Sequence, residues 1–195
     1  MELTLFRKLT RTTLSREEKA FLLDFARKSI QAKLEGKDPP LFNDEYPRLK
    51  EPRGAFVTLN KEGKLRGCIG IIAGIKPLYQ IVQDVAIAAA LNDPRFQPLT
   101  LEELPQITIE ISVLSPLRKI KNIKKIKIGQ HGIYLKLGDA QGLLLPQVAV
   151  NNNWNRETFL EHTCLKAGLP RDAWKHPETE IFIFSAEIFE EEANH

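Results

Sequence analysis

The chain has only two cysteines in 195 residues, too few for a disulfide framework, and they do not form a Cys-x-x-Cys pair. Both thiols, Cys68 and Cys164, are expected to be reduced, as in a cytoplasmic protein. Three closely spaced cysteines are also missing, which excludes a radical-SAM cluster on this chain. The longest apolar runs fall far short of a membrane span, and Met1–Lys8 has no long apolar run behind a basic start. Neither a membrane helix nor a signal peptide is therefore expected. Charge of one sign is not in excess: the net charge is +3, too small to imply nucleic acid by itself. There is no internal repeat and no low-complexity segment. There is also no Gly-x-x-x-x-Gly-Lys-Ser/Thr, no Gly-x-Gly-x-x-Gly after a strand and no His-Glu-x-x-His, so three familiar chemistries find no support. What is present is an ordinary apolar fraction with mixed charge. It suffices for one domain with a sizeable core, or one core with a small appended lobe.

The most informative stretch is Lys64-Leu65-Arg66-Gly67-Cys68-Ile69-Gly70-Ile71-Ile72. Residues Gly54–Leu59 read as a strand before it, and Asn60-Lys61-Glu62-Gly63 reads as the turn of a hairpin. Strand alternation places Leu65, Gly67 and Ile69 on one face and Arg66, Cys68 and Gly70 on the other. A guanidinium beside a thiol favours the nucleophilic thiolate, and two glycines leave the backbone open to a ligand. The same residues have a packing reading. Strand glycines often mark a bulge or a tight helix contact, and a lone cysteine often serves as a small buried hydrophobe. Cys68-Ile69-Gly70 is unlike the local patterns around papain or caspase cysteines.

Along the chain, Ser15 with Glu18 forms a capping-box pattern that opens a helix over 16–35, closed by Gly36 and Pro39-Pro40. Leu41–Pro52 reads as irregular. Pro77 fits the first turn of a second helix over 77–91, which stops before Asp93-Pro94. Arg95 suits either an Asp–Arg turn with Asp93 or contact with an anionic ligand. Ile107, Ile109, Ile111 and Val113 alternate with Thr108, Glu110 and Ser112, which predicts a strand with Glu110 centred on its polar face. Arg118–Lys127 holds six basic residues without interleaved aromatics, which suits a solvated loop and a lysine-guarded edge strand. A strand begins near His131, and Pro146 ends the return strand, after which Gln147 suits either presenting its amide to a ligand or bonding to backbone. Asn155 caps a third helix over 156–167, with Trp154 and Phe159 as its staple. His162 and Cys164 are about 200° apart around that helix and cannot share a metal. Glu180–Phe189 reads as one last strand, and the tail beyond it as frayed. The pattern predicts an α+β fold, a mostly antiparallel sheet with helices packed on it.

Leu65-Arg66-Gly67-Cys68-Ile69-Gly70 resembles the hallmark hexapeptide of the AMMECR family, also called protein A of the AmmeMemoRadiSam system. Pro52–Leu59, Asp93–Phe96, Glu110–Pro116, Leu144–Ala149 and Phe159–Leu169 resemble further family blocks in the family's order. The resemblance spans nearly the whole chain. It implies a single domain over 1–195 with a larger and a smaller lobe, a cleft between them and the hexapeptide near that cleft. It also implies Memo-type and radical-SAM proteins as partners in a shared modification pathway. The family's activity is not settled.

Two function classes follow. In the first, the protein is a cysteine-dependent enzyme. Cys68 is the nucleophile or acceptor thiol, and Arg66 holds it as thiolate. Arg53 or Arg95 holds an anionic substrate, and His162 or Glu110 moves protons. Gly67, Gly70, Asp93 and Gln147 complete the candidate ligand-binding set. In the second, the protein is an adaptor for a small anion, a peptide or a protein, and Cys68 is structural. Neither class indicates a metal or a particular cofactor. Nucleic-acid binding rests only on the lysine-rich run.

Overall fold

The computed structural model describes residues 13–192. The expectations for Met1–Lys8 and for Ala193–His195 lie outside the described residues. The chain forms two compact units. One runs up to Val113 and resumes at Glu187; the other is Leu114–Ala186.

The first unit is built on a four-stranded sheet of order β2-β1-β3-β8. Its strands are β1 (Ala55–Lys61), β2 (Lys64–Ile71), β3 (Ile107–Leu114) and β8 (Ala186–Glu190). β1 pairs antiparallel with β2 and with β3. The alternation of β1 and β3 explains the core: Ala55, Val57, Leu59, Ile107, Ile109, Ile111 and Val113 are all buried on one face. Helix α2 (Leu78–Leu91) packs on β1 and β2, and α1 (Arg16–Leu34) packs on α2. The capping box at α1 is complete. The Ser15 amide donates to Glu18 Oε2 at 2.7 Å, and the Glu18 amide donates to Ser15 Oγ at 3.2 Å.

The second unit has its own sheet, of order β4-β7-β5-β6, with every neighbouring pair antiparallel. Its strands are β4 (Arg118–Ile120), β5 (Gly132–Leu137), β6 (Ala140–Leu144) and β7 (Glu180–Phe184). Helix α4 (Arg156–Lys166) covers β5 and β6, burying Phe159, Leu160 and Cys164. Its cap is Asn155, whose Oδ1 accepts from the Thr158 amide at 2.9 Å. β4 is an edge strand, as the lysine run predicts.

The fold is α+β, with two details that differ from the sequence expectation. The last strand is two strands. Ser185 leaves the ladder because its N–H donates to Ser115 Oγ and its carbonyl accepts from the Ser115 amide, both at 2.9 Å. β7 therefore belongs to one sheet and β8 to the other. In addition, Pro146 ends β6 but also opens a short helix, α3 (Pro146–Asn151), so Gln147 is helical. Among the described residues no helix is long and apolar enough to cross a membrane.

Candidate functional site

The site starts from a β-bulge. β1 and β2 pair Lys61 with Lys64 and Asn60 with Leu65, but Leu59 then pairs with Gly67. Arg66 is the extra residue. The bulge corrects the sequence expectation that Arg66 lies beside the thiol. Arg66 instead donates to Glu103 through Nε (3.2 Å) and Nη2 (2.9 Å), and to the Gln97 carbonyl at 3.0 Å. The Arg66 guanidinium in turn holds the Glu103 carboxyl down at about 2.

Beyond the bulge, Cys68 stands opposite Thr58, and Thr58 stands opposite Glu110 on β3. The three side chains form one row across the sheet, on the face away from the core. Cys68 is half-buried, and Thr58 Oγ1 donates to its Sγ at 3.3 Å. Opposed side chains in such a row lie about 5 Å apart at Cβ. Glu110 is thus one strand further from the thiol than direct neighbours would be, with Thr58 between. Burial pushes the Glu110 carboxyl up, and the nearby Glu190 charge adds to the rise. Thr58 was not among the residues that the sequence singled out.

The Cys68 peptide is clamped from the open side of β2, an edge strand. Its N–H donates to Asp93 Oδ2 at 2.8 Å, and its carbonyl accepts from Arg95 Nη2 at 3.2 Å. Asp93 and Arg95 are themselves joined. Arg95 Nε donates to Oδ1 at 2.9 Å, Nη2 to Oδ2 at 2.7 Å, and the Arg95 amide to Oδ1 at 3.1 Å. Two side chains thus occupy the positions of a neighbouring strand's backbone. Asp93 is only 4% exposed, and the Arg95 hydrogen bonds hold its carboxyl well below the usual range. Arg95 is raised in turn, chiefly by Asp93, and it is Arg95 rather than Arg66 that bonds the Cys68 peptide. Its side chain is 54% exposed.

The space beside the two glycines is filled by the protein. A Cβ on Gly67 would lie 2.2 Å from the Ala89 carbonyl oxygen of α2. A Cβ on Gly70 would lie 2.1–2.5 Å from the Phe56 ring. Gly67 therefore seats a helix and Gly70 seats a ring, which favours the packing reading of the strand glycines over the open backbone.

The remaining candidates have separate surroundings. Arg53 lies in the first unit, where burial lowers it and the charges of Glu187 and Glu51 oppose that. His162 lies in the second unit, stacked on Trp154 with centroids 3.9 Å apart and planes 14° from parallel. Gln147 lies in the same unit; its Oε1 is buried with no hydrogen-bond partner among the described residues. The structure brings together Cys68, Asp93 and Arg95, with Thr58 and Glu110 in the same row. Among the described residues, no group of three or more His, Cys, Asp or Glu could hold a metal ion.

An α+β protein with a half-buried thiol on a clamped edge strand is the class that this geometry defines. A model of the AMMECR1 family matches residues 23–189, and the chain belongs to that family. A protein of Methanopyrus kandleri is 46% identical over 188 residues, covering 92% of this chain and 91% of its own length. A protein of Nanoarchaeum equitans is 44% identical over 178 residues, covering 88% of this chain and 99% of its own length. The crystal structure of an uncharacterized protein from Pyrococcus horikoshii is similar with a TM-score of 0.86 at 43% identity. That match covers 92% of this chain and 94% of the other.

Proposed function

We propose that the protein is a thiol-dependent group-transfer enzyme acting through Cys68. The observation that carries this reading is the row Cys68–Thr58–Glu110, with a hydroxyl bonded to the sulfur and a half-buried carboxyl beyond it. A carboxyl raised by burial is a better proton acceptor near neutral pH than an ordinary one. Thr58 Oγ1 donates to the sulfur and so favours the thiolate, Glu110 is the acceptor of the thiol proton, and the sulfur attacks an electrophilic carbon. With an acyl thioester as donor, the Cys68 S–C bond forms as the donor's S–C bond breaks. The departing thiolate takes the proton back from Glu110. The half-exposed Arg95 holds an anionic part of the donor. Two free cysteines suit the cytoplasm. In the modification pathway that the family resemblance implies, Memo-type and radical-SAM proteins are the proposed partners.

The adaptor reading is favoured by the filled space at Gly67 and Gly70. It makes the hexapeptide a packing motif and Cys68 structural. A small acyl thioester probe separates the two readings by intact mass. The enzyme reading predicts one acyl group at Cys68, formed about tenfold or more slowly in Thr58→Val and Glu110→Gln. No adduct, or equal rates in the variants, would decide for the adaptor.

A further inference from the structure

Charge is divided unevenly along the chain. Leu114–Ala186 carries eleven Lys/Arg and six Asp/Glu, a net +5, and the rest of the chain is at −2 of the total +3. Within this basic unit lies a groove of about 810 Å³. Its walls are the β4 edge with Lys119 and Lys121, and the segment Trp174–Glu180 that leads into β7. The volume is in the range of small-molecule sites.

The polar groups of the groove are mostly hydrogen-bond donors. Lys119 is neutralised by Glu180, with which it pairs. Lys121 and Lys175 are exposed and have no carboxylate partner among the described residues. Lys175 Nζ lies over the Trp174 ring, 5.1 Å from its centroid. The indole N–H of Trp174 is buried with no acceptor among the described residues. His176 Nδ1 accepts from the Glu178 amide at 3.3 Å, which leaves the proton on Nε2 as a further donor. Against these donors stand two carboxylates, Glu178 and the Glu180 that pairs with Lys119. Lysine ammonium groups suit phosphate as point charges that need no planar fork.

We propose that this groove binds a phosphate-bearing small molecule, with Lys121 and Lys175 on the phosphate oxygens and Trp174 at the wall. The proposal is independent of the chemistry at Cys68. The two tryptophans of the chain give the measurement. Trp154→Phe leaves Trp174 as the sole indole in the full-length protein. Titration with inorganic pyrophosphate, followed by Trp174 fluorescence, should saturate. Lys121→Ala/Lys175→Ala in the same background should weaken binding at least tenfold, while Lys64→Ala, in the other unit, should leave it unchanged. A parallel titration with a nucleoside triphosphate distinguishes the sources of the phosphate: equal affinity means that phosphate alone is read, and higher affinity means that the nucleoside is read too. No saturable signal with either probe, or affinity untouched by the double lysine variant, would overturn the proposal. So would binding of duplex DNA alone.

Discussion

Asp93→Ala should lower the unfolding free energy by about 2 kcal/mol in urea titrations, because it removes a buried charged acceptor from the Cys68 and Arg95 donors. The lost contacts are the Cys68 amide at 2.8 Å, the Arg95 amide and the Arg95 guanidinium. The effect carries a pH signature. Asp93 is held below its usual range in the folded protein, so its contribution is full above the unfolded carboxylate value of about 4 and declines as pH falls below it. The gap between wild type and Asp93→Ala should therefore be widest above about pH 5 and narrow in acid. Glu103 has the same sign, losing its contribution between 4.5 and about 2, but that loss is shared by both proteins and cancels in the difference. A gap that widened in acid would mean that the carboxylate is not the stabilising form.

Gly67→Ala should have a comparable or larger effect, about 3 kcal/mol, with part of the protein failing to fold. Its Cβ would meet the backbone oxygen of Ala89 at 2.2 Å, so only a shift of α2 relieves the clash. Gly70→Ala meets a side chain instead, the Phe56 ring. Its cost should fall when combined with Phe56→Leu, whereas no side-chain truncation should rescue Gly67→Ala. Thermal melts of the single and combined variants check this. Equal rescue at both positions would show that α2 does not rest on Gly67 as described.

These contacts show what the sequence could and could not convey. Strand alternation located the core face of β3, and Ser15/Glu18 and Asn155 marked two helix starts, because each signal is local. The strand glycines raised a bulge, but its position was not legible. Counting back from the turn without it puts Cys68 opposite Val57 and hides Thr58. With it, Cys68 faces Thr58, and Arg66 leaves the row for Glu103. One inserted residue changes the parity of everything beyond it. The Asp93–Arg95 pair was foreseen as a turn, but its grip on the Cys68 peptide depends on where α2 returns the chain. Likewise, the apolar run Glu180–Phe189 could not reveal its division between two sheets. Ile181 and Ile183 on one β7 face are buried and Phe182 on the other is half-buried against Tyr134, and the switch at Ser185 depends on a distant serine, Ser115.

The central claim is that Cys68 is a presented, reactive thiol, and alkylation tests it most directly. The native protein is treated with iodoacetamide, and peptide mass spectrometry follows Cys68 and Cys164 separately. Cys164 is fully buried, and burial pushes its thiol up, so it serves as the protected reference. The account predicts that Cys68 is modified in the folded state while Cys164 remains free until urea unfolds the chain. Modification of Cys68 only on unfolding, in step with Cys164, would contradict it and leave the hexapeptide as a packing motif.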